Sequence, residues 1–202
     1  MRAFVLALAL LGLAGAALAE QATLRAARPG APALTLRAAS SAEHWVIRVQ
    51  EGGIDTQRIE VLTDLPGLRP RLADADGDGA PDLWIPVIGG NANTAWDLWL
   101  MRPQQARFVR AGEIGGTAFA RDREGRLIAL GRNGCCASSL VFHGFAPSGA
   151  LRELFAVERE EGLSRARSCE GVAITQDPPV AVVRQVCGLA PGYLPGARLA
   201  VP

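Results

Sequence analysis

The sequence predicts an all-β, antiparallel domain. Three observations carry that prediction. Short runs alternate apolar and polar residues; turn-forming residues separate them at intervals of roughly 8 to 15 residues; and no segment holds a helical period over about 12 residues. Such spacing fits a sandwich, a barrel or a small propeller-like domain.

Along the chain, residues 1–19 (MRAFVLALALLGLAGAALA) read as a secretory signal peptide. Arg2 is its positive region, Phe4 to Leu13 its apolar stretch, and Ala17-Leu18-Ala19 a cleavage site of small residues. The expectation is export to the periplasm or beyond, with cleavage after Ala19 and no stable membrane insertion, since the apolar run is too short to span a bilayer. Residues 20–33, rich in Ala, Pro and Gly, are expected to form a loose lead-in, and residues 34–202 a single domain. Within it the strand-like runs are 45–49, 58–62, 83–88, 96–101, 118–121, 126–130, 139–145, 151–157, 172–175 and 180–186. Asp122 to Gly125 and Pro147 to Gly149 have hairpin-turn composition. Residues 151–167 are the best helix candidate, but their surroundings favour a strand followed by a charged loop.

Composition narrows the function. The 202 residues hold 21 basic and 20 acidic groups; without Arg2 the two balance, which argues against binding nucleic acid or anionic lipid by bulk attraction. Every basic residue is Arg. The missing lysine excludes Schiff-base chemistry and the P-loop. Four cysteines fit an oxidising compartment and up to two disulfides. Cys135 and Cys136 are adjacent, so a bond between them strains the peptide they share. The favoured pattern joins each of them to one of Cys169 and Cys187, with the assignment open. A zinc site competes, but the C-x-x-C spacing is missing.

The sharpest motif is Asp-Ala-Asp-Gly-Asp-Gly-Ala-Pro-Asp at 74–82. With Asp74 as position 1, carboxylates fall at 1, 3, 5 and 9, glycine at 6, and a backbone carbonyl from Ala80 at 7. That is the spacing of a calcium loop. The four aspartates Asp74, Asp76, Asp78 and Asp82 would repel one another without a cation. A solvated acidic turn is the plainer alternative. Position 12 is Ile85, so this is no EF-hand. The expected site is a strand-flanked loop of modest affinity, suited to millimolar extracellular Ca2+.

The stretch LADADGDGAPDLWIP resembles the calcium loop of FG-GAP and VCBS-type repeats, in one copy. The order of the following segments is similar to a family of exported, single-domain calcium-binding proteins. They include Gly89-Gly90-Asn91-Ala92-Asn93-Thr94, the aromatic strand WDLWLM, Phe108 and the hairpin series to residue 154 or so. Members of that family act as periplasmic immunity proteins against peptidoglycan-hydrolase effectors of bacterial type IV secretion, and they resemble lysozyme inhibitors in architecture. The resemblance implies a non-enzymatic protein that binds and blocks a peptidoglycan hydrolase or lysozyme-like partner. The Ser-Gly-x-x-Tyr loop common in lysozyme inhibitors is missing; Arg132-Asn133-Gly134 occupies a comparable turn. The alternative is a calcium-dependent glycan-binding or adhesion module.

Other candidates have plain readings. Trp84, Trp96 and Trp99 could stack sugars but are expected in the core, with Trp96 and Trp99 on opposite strand faces. Asn91, Asn93 and Thr94 form a polar loop that could meet a partner or simply turn the chain. His44 and His143, with Ser138 or Ser139, could supply a hydrolytic triad, but no G-x-S-x-G elbow is present. Glu158, Glu160 and Glu161 could imitate a glycosidase pair, yet one local run does not supply two facing carboxyls.

Overall fold

The computed structural model describes residues 19–161 and 166–201. It is an all-β, antiparallel protein of three consecutive open sheets. The first is a meander of β1 (Ala19–Arg28), β2 (Ala31–Ser40), β3 (His44–Glu51) and β4 (Ile54–Leu62). The second is a meander of β5 (Arg71–Ala73), β6 (Asp82–Gly89), β7 (Thr94–Arg102) and β8 (Arg107–Gly116). The third contains β9 (Ala118–Arg121), β10 (Leu127–Asn133), β11 (Ala137–Phe145), β12 (Leu151–Glu161) and β13 (Ala166–Ala173). A short β14 (Ala197–Arg198) adds to the free edge of β9. One helix, α1 (Val180–Cys187), follows β13. Among the described residues no sheet closes on itself into a barrel.

Alternation along the strands explains the layering. In β6, Leu83 and Ile85 enter a core shared with Trp45, Ile47 and Leu36 of the first sheet. Trp84, between them, enters a core shared with Phe119, Leu127 and Ala129 of the third. Opposite faces of one strand thus serve two interfaces. A strand buried on both faces reads as an apolar run, and DLWIPVIG does so. The other face of the third sheet carries Ile128, Leu140, Phe142 and Phe155, covered by Val186 of α1. Each such fully buried side chain contributes roughly 1.5–3 kcal/mol through removal from water.

Two irregularities shape the middle sheet. Pro86 sits beyond the end of β5, which pairs only with residues 82–84, so its missing N–H costs no bond on that side. Its carbonyl accepts from the Thr63 hydroxyl at 2.9 Å. On β8 the register moves from Leu98↔Gly112 to Trp99↔Arg110, leaving Ala111 as a bulge. Gly112 takes φ +141°, which glycine tolerates. The extra residue puts Arg110 and Glu113 on one face, although they are three apart.

Four expectations are corrected or left aside. Residues 20–33 are no loose lead-in: they belong to β1 and β2, which bury Ala26 and Leu34 against Trp45 and Ile47. Residues 180–186 form a helix, not a strand. Val182, Val183, Val186 and Cys187 recur at helical spacing and pack on the third sheet. The disulfide joins Cys169 to Cys187, with Cα atoms 5.7 Å apart, and Cys135 and Cys136 are free and exposed at the β10–β11 turn. Residues 1–18, where the signal peptide was expected, lie outside the described residues. No helix among the described residues is long and apolar enough to cross a membrane, and the disulfide fits an extracellular location.

Candidate metal centre

Ala73 of β5 pairs with Asp82 of β6, so the chain must reverse within residues 74–81. Gly79, at position 6 of the spacing, makes the sharp bend at φ +86°. The aspartates stiffen the turn. Asp74 accepts the N–H of Gly77 at 2.7 Å and of Gly79 at 3.2 Å. Asp76 accepts from Asp78 N–H at 3.2 Å, and Asp78 from Ala80 N–H at 2.7 Å. The Asp76 and Asp78 bonds are side-chain turns of the kind aspartate forms two residues ahead.

The result is convergence. Asp74, Asp76 and Asp78 each bring one carboxylate oxygen within 4.8 Å of the others. Calcium binds oxygens at 2.3–2.6 Å, so two ligands on opposite sides of one ion stand roughly 4.6–5.2 Å apart. Three hard oxygen donors at this separation suit such an ion. Burial, and then the charge of Asp78, raise the Asp76 carboxyl above its ordinary value.

Asp82 lies beneath the cluster and is fully buried. One of its oxygens accepts from Ala75 N–H at 2.7 Å and the other from Met101 N–H at 2.8 Å. It therefore ties the loop to β7. A carboxylate oxygen that accepts one amide keeps a second lone pair. Burial is the main reason its carboxyl is pushed up to about 8; the charges of Asp76 and Asp78 add to that, and the two amide bonds oppose it. Ala80 is buried in the first core.

Two cations flank the loop that the motif could not reveal. Arg121, on β9 of the third sheet, meets Asp74 Oδ1 at 3.0 Å and donates to the Asp74 carbonyl at 3.2 Å. Arg102, at the end of β7, stands 4.0 Å from Asp76 Oδ2. Both are remote in sequence, and only tertiary folding brings them here.

The remaining candidates separate. Trp84 and Trp96 are buried in the core between the second and third sheets, while Trp99 packs half-buried toward the first. Asn93 exchanges two hydrogen bonds with Arg132, donating to its carbonyl at 3.0 Å and accepting its N–H at 2.8 Å. It thus splices the second sheet to the third like a strand neighbour. Asn91 is exposed, and Thr94 begins β7. His143 is buried, its pKa lowered chiefly by that burial, with Glu153 3.9 Å away. Ser139 is four residues from it on the same strand, roughly 13 Å away, too far for a hydrogen bond. Ser138 lies on the opposite face of β11. Glu158 and Glu160 lie on one exposed face of β12, and Glu160 stands 3.9 Å from Arg167. The Glu161 side chain is outside the described residues. The hydrogen bond of the Cys136 thiol to Cys135, and then the charge of Cys135, raise that thiol above its usual value.

No protein-family model, curated protein or solved structure matches the chain.

Proposed function

We propose that the chain is an exported, calcium-stabilised binding protein that captures a peptidoglycan hydrolase or lysozyme-like partner and blocks it without doing chemistry of its own. The observation that carries the calcium part is the convergence of the Asp74, Asp76 and Asp78 carboxylates on a loop clamped from below by Asp82. Calcium would be held by those three side chains, with Asp82 and the Ala80 carbonyl completing the oxygen set. The ion supplies positive charge where carboxylates crowd, and its protein ligands hold the β5–β6 connection in one shape. A connection already ordered binds a partner with less loss of freedom.

The choice of partner rests on the resemblance of LADADGDGAPDLWIP and its following segments to the immunity proteins. The glycan-binding alternative loses support, because burial of Trp84 and Trp96 leaves Trp99 as the one partly open ring in that aromatic cluster. The test is capture from a periplasmic extract by the immobilised mature chain, with and without a chelator. A cell-wall hydrolase retained in calcium, whose lytic activity falls when the chain is added, is the expected result. Retention of polysaccharide alone would replace this reading with the adhesion one.

A further inference from the structure

The other end of β6 opens into a cleft of about 770 Å³ between the first and second sheets. Two sets of bonds join the sheets along the same strands. The Gln57 side chain of β4 donates to the Phe108 carbonyl at 2.9 Å and accepts the Phe108 N–H at 2.8 Å. After β4, Asp64 N–H donates to the Val87 carbonyl at 2.9 Å and Asp64 Oδ1 accepts the Gly89 N–H at 2.9 Å.

The lining has two characters. Leu62 and Ile88 are 68% and 55% exposed, and half-buried Trp99 lies with them, so three large apolar side chains share one wall. Glu43, Glu60, Asp64, Asp97 and Glu113 also line the space. Against these five carboxylates stand two guanidiniums. Arg110 reaches Asp97 at 2.7 Å and Glu113 at 3.3 Å, and Arg58 donates to Glu60 at 2.8 Å with both side chains more than half exposed. The exposed Arg58–Glu60 and Arg110–Glu113 pairs are weak and exchangeable, whereas the Asp97 carboxylate that Arg110 also meets is buried. The β8 bulge contributes directly, because it turns Glu113 to the same face as Arg110.

From this juxtaposition of an apolar wall and excess carboxylate, we infer that the cleft is a docking site for a basic segment of a partner protein. Arginine or lysine stems lie along Leu62, Ile88 and Trp99, and their charged heads end at Glu43, Glu60 and Glu113. Long basic side chains have this division, an aliphatic stem and a polar tip. Charge opposition across the cleft sets approach and specificity. The inference deepens the proposed function, and depends on it only for the identity of the partner.

The experiment uses the full mature chain in calcium, with the acetylated and amidated pentapeptide Ala-Arg-Leu-Arg-Ala as probe and its Glu-for-Arg analogue as control. Trp45, Trp84 and Trp96 are buried, so acrylamide quenching of tryptophan emission reports chiefly on Trp99. Saturable protection from quenching by the basic peptide only, lost in Trp99→Phe, is expected. Titration calorimetry of Glu60→Gln/Glu113→Gln should show about fivefold or greater weakening, as should Leu62→Ser, with unchanged circular dichroism. No saturable binding, equal binding of the acidic peptide, or undiminished binding by the double variant would overturn the inference. So would dimerisation in sedimentation that Leu62→Ser abolishes, since a second copy would then fill the cleft. Peptide binding without hydrolase capture retains the cleft and removes the proposed partner; hydrolase capture without peptide binding does the reverse.

Discussion

The two ends of β6 are both acidic, yet they hold their charge differently. At the start of the strand, three carboxylates from one short loop converge within 4.8 Å and accept the loop's own amides. Roughly 20 Å along, at a strand rise of about 3.3 Å per residue, the carboxylates come from separate stretches of chain and spread around a 770 Å³ space with an apolar wall. Convergence concentrates repulsion at a point, which a small hard cation relieves. Dispersion over a partly apolar surface suits an extended cation with aliphatic parts. Acidic content alone does not distinguish these; the geometry of its support does.

The largest expected effect tests that support. Asp82→Ala leaves the N–H groups of Ala75 and Met101 without acceptors in a dry site. At roughly 1–3 kcal/mol for each buried amide, the loss in urea unfolding should be about 3 kcal/mol in chelator, and larger in calcium, where the variant also lacks one of the ion's oxygens. Glu60→Gln/Glu113→Gln, at the exposed end, should change stability by no more than about 0.5 kcal/mol. Equal losses at the two ends would erase the distinction between a built loop and an open cleft.

Next in size is the metal increment. At 100 times its dissociation constant, calcium should stabilise the fold by about 2.7 kcal/mol. Asp76→Ala should remove that rise in melting temperature, and the cleft variants should keep it. The metal-free protein adds a pH signature. In the folded chain Asp82 holds its proton up to about pH 8, far above the ordinary carboxylate value of 3.8. The folded state therefore binds this proton more tightly than the unfolded one. Its contribution is full below the unfolded value and lost as pH rises through 8. In chelator, the melting temperature should fall between pH 5 and 8; calcium should flatten the fall, and Asp82→Asn should abolish it. A slope unchanged by calcium would detach Asp82 from the site.

The two ends also differ in how they could be read from sequence. The loop was legible because its chemistry is local: alternating aspartates and Gly79 encode their own turn. The cleft was not, because Glu43, Glu60, Asp97 and Glu113 meet only after two sheets dock and the Ala111 bulge resets β8. Locality also explains the other outcomes. The Asp122–Gly125 and Pro147–Gly149 turns close as their composition predicts, with Gly125 N–H bonded to Asp122 and Gly149 N–H to Ala146. The alternation of 45–49 and 96–101 became β3 and β7. The cysteine pairing was illegible, since it depends on α1 folding back on β13 beside Cys169. That helix has only eight residues, four of them valine, too few for its period to outweigh β propensity. Alanine and proline at 20–33 hid β1 and the start of β2, because Ala26 is the one apolar residue fully buried there and composition outweighed so weak an alternation.

The smallest effect concerns the cations beside the loop. Arg121 pairs with Asp74 at 3.0 Å, with both side chains about a quarter exposed. Its guanidinium therefore opposes any cation that Asp74, Asp76 and Asp78 would share. Partly exposed pairs of this kind contribute roughly 0.2–1 kcal/mol, so Arg121→Gln should cost the metal-free protein less than about 1 kcal/mol. The same change removes a positive charge from the ion's approach and should tighten calcium binding by about two- to fivefold. Titration calorimetry reads that shift. Arg110→Gln, in the cleft, should leave calcium affinity untouched. Weaker binding in Arg121→Gln would mean that this arginine orders the ligands more than it competes with the ion. The convergence at the start of β6 would then depend on the third sheet as much as on the loop's own aspartates.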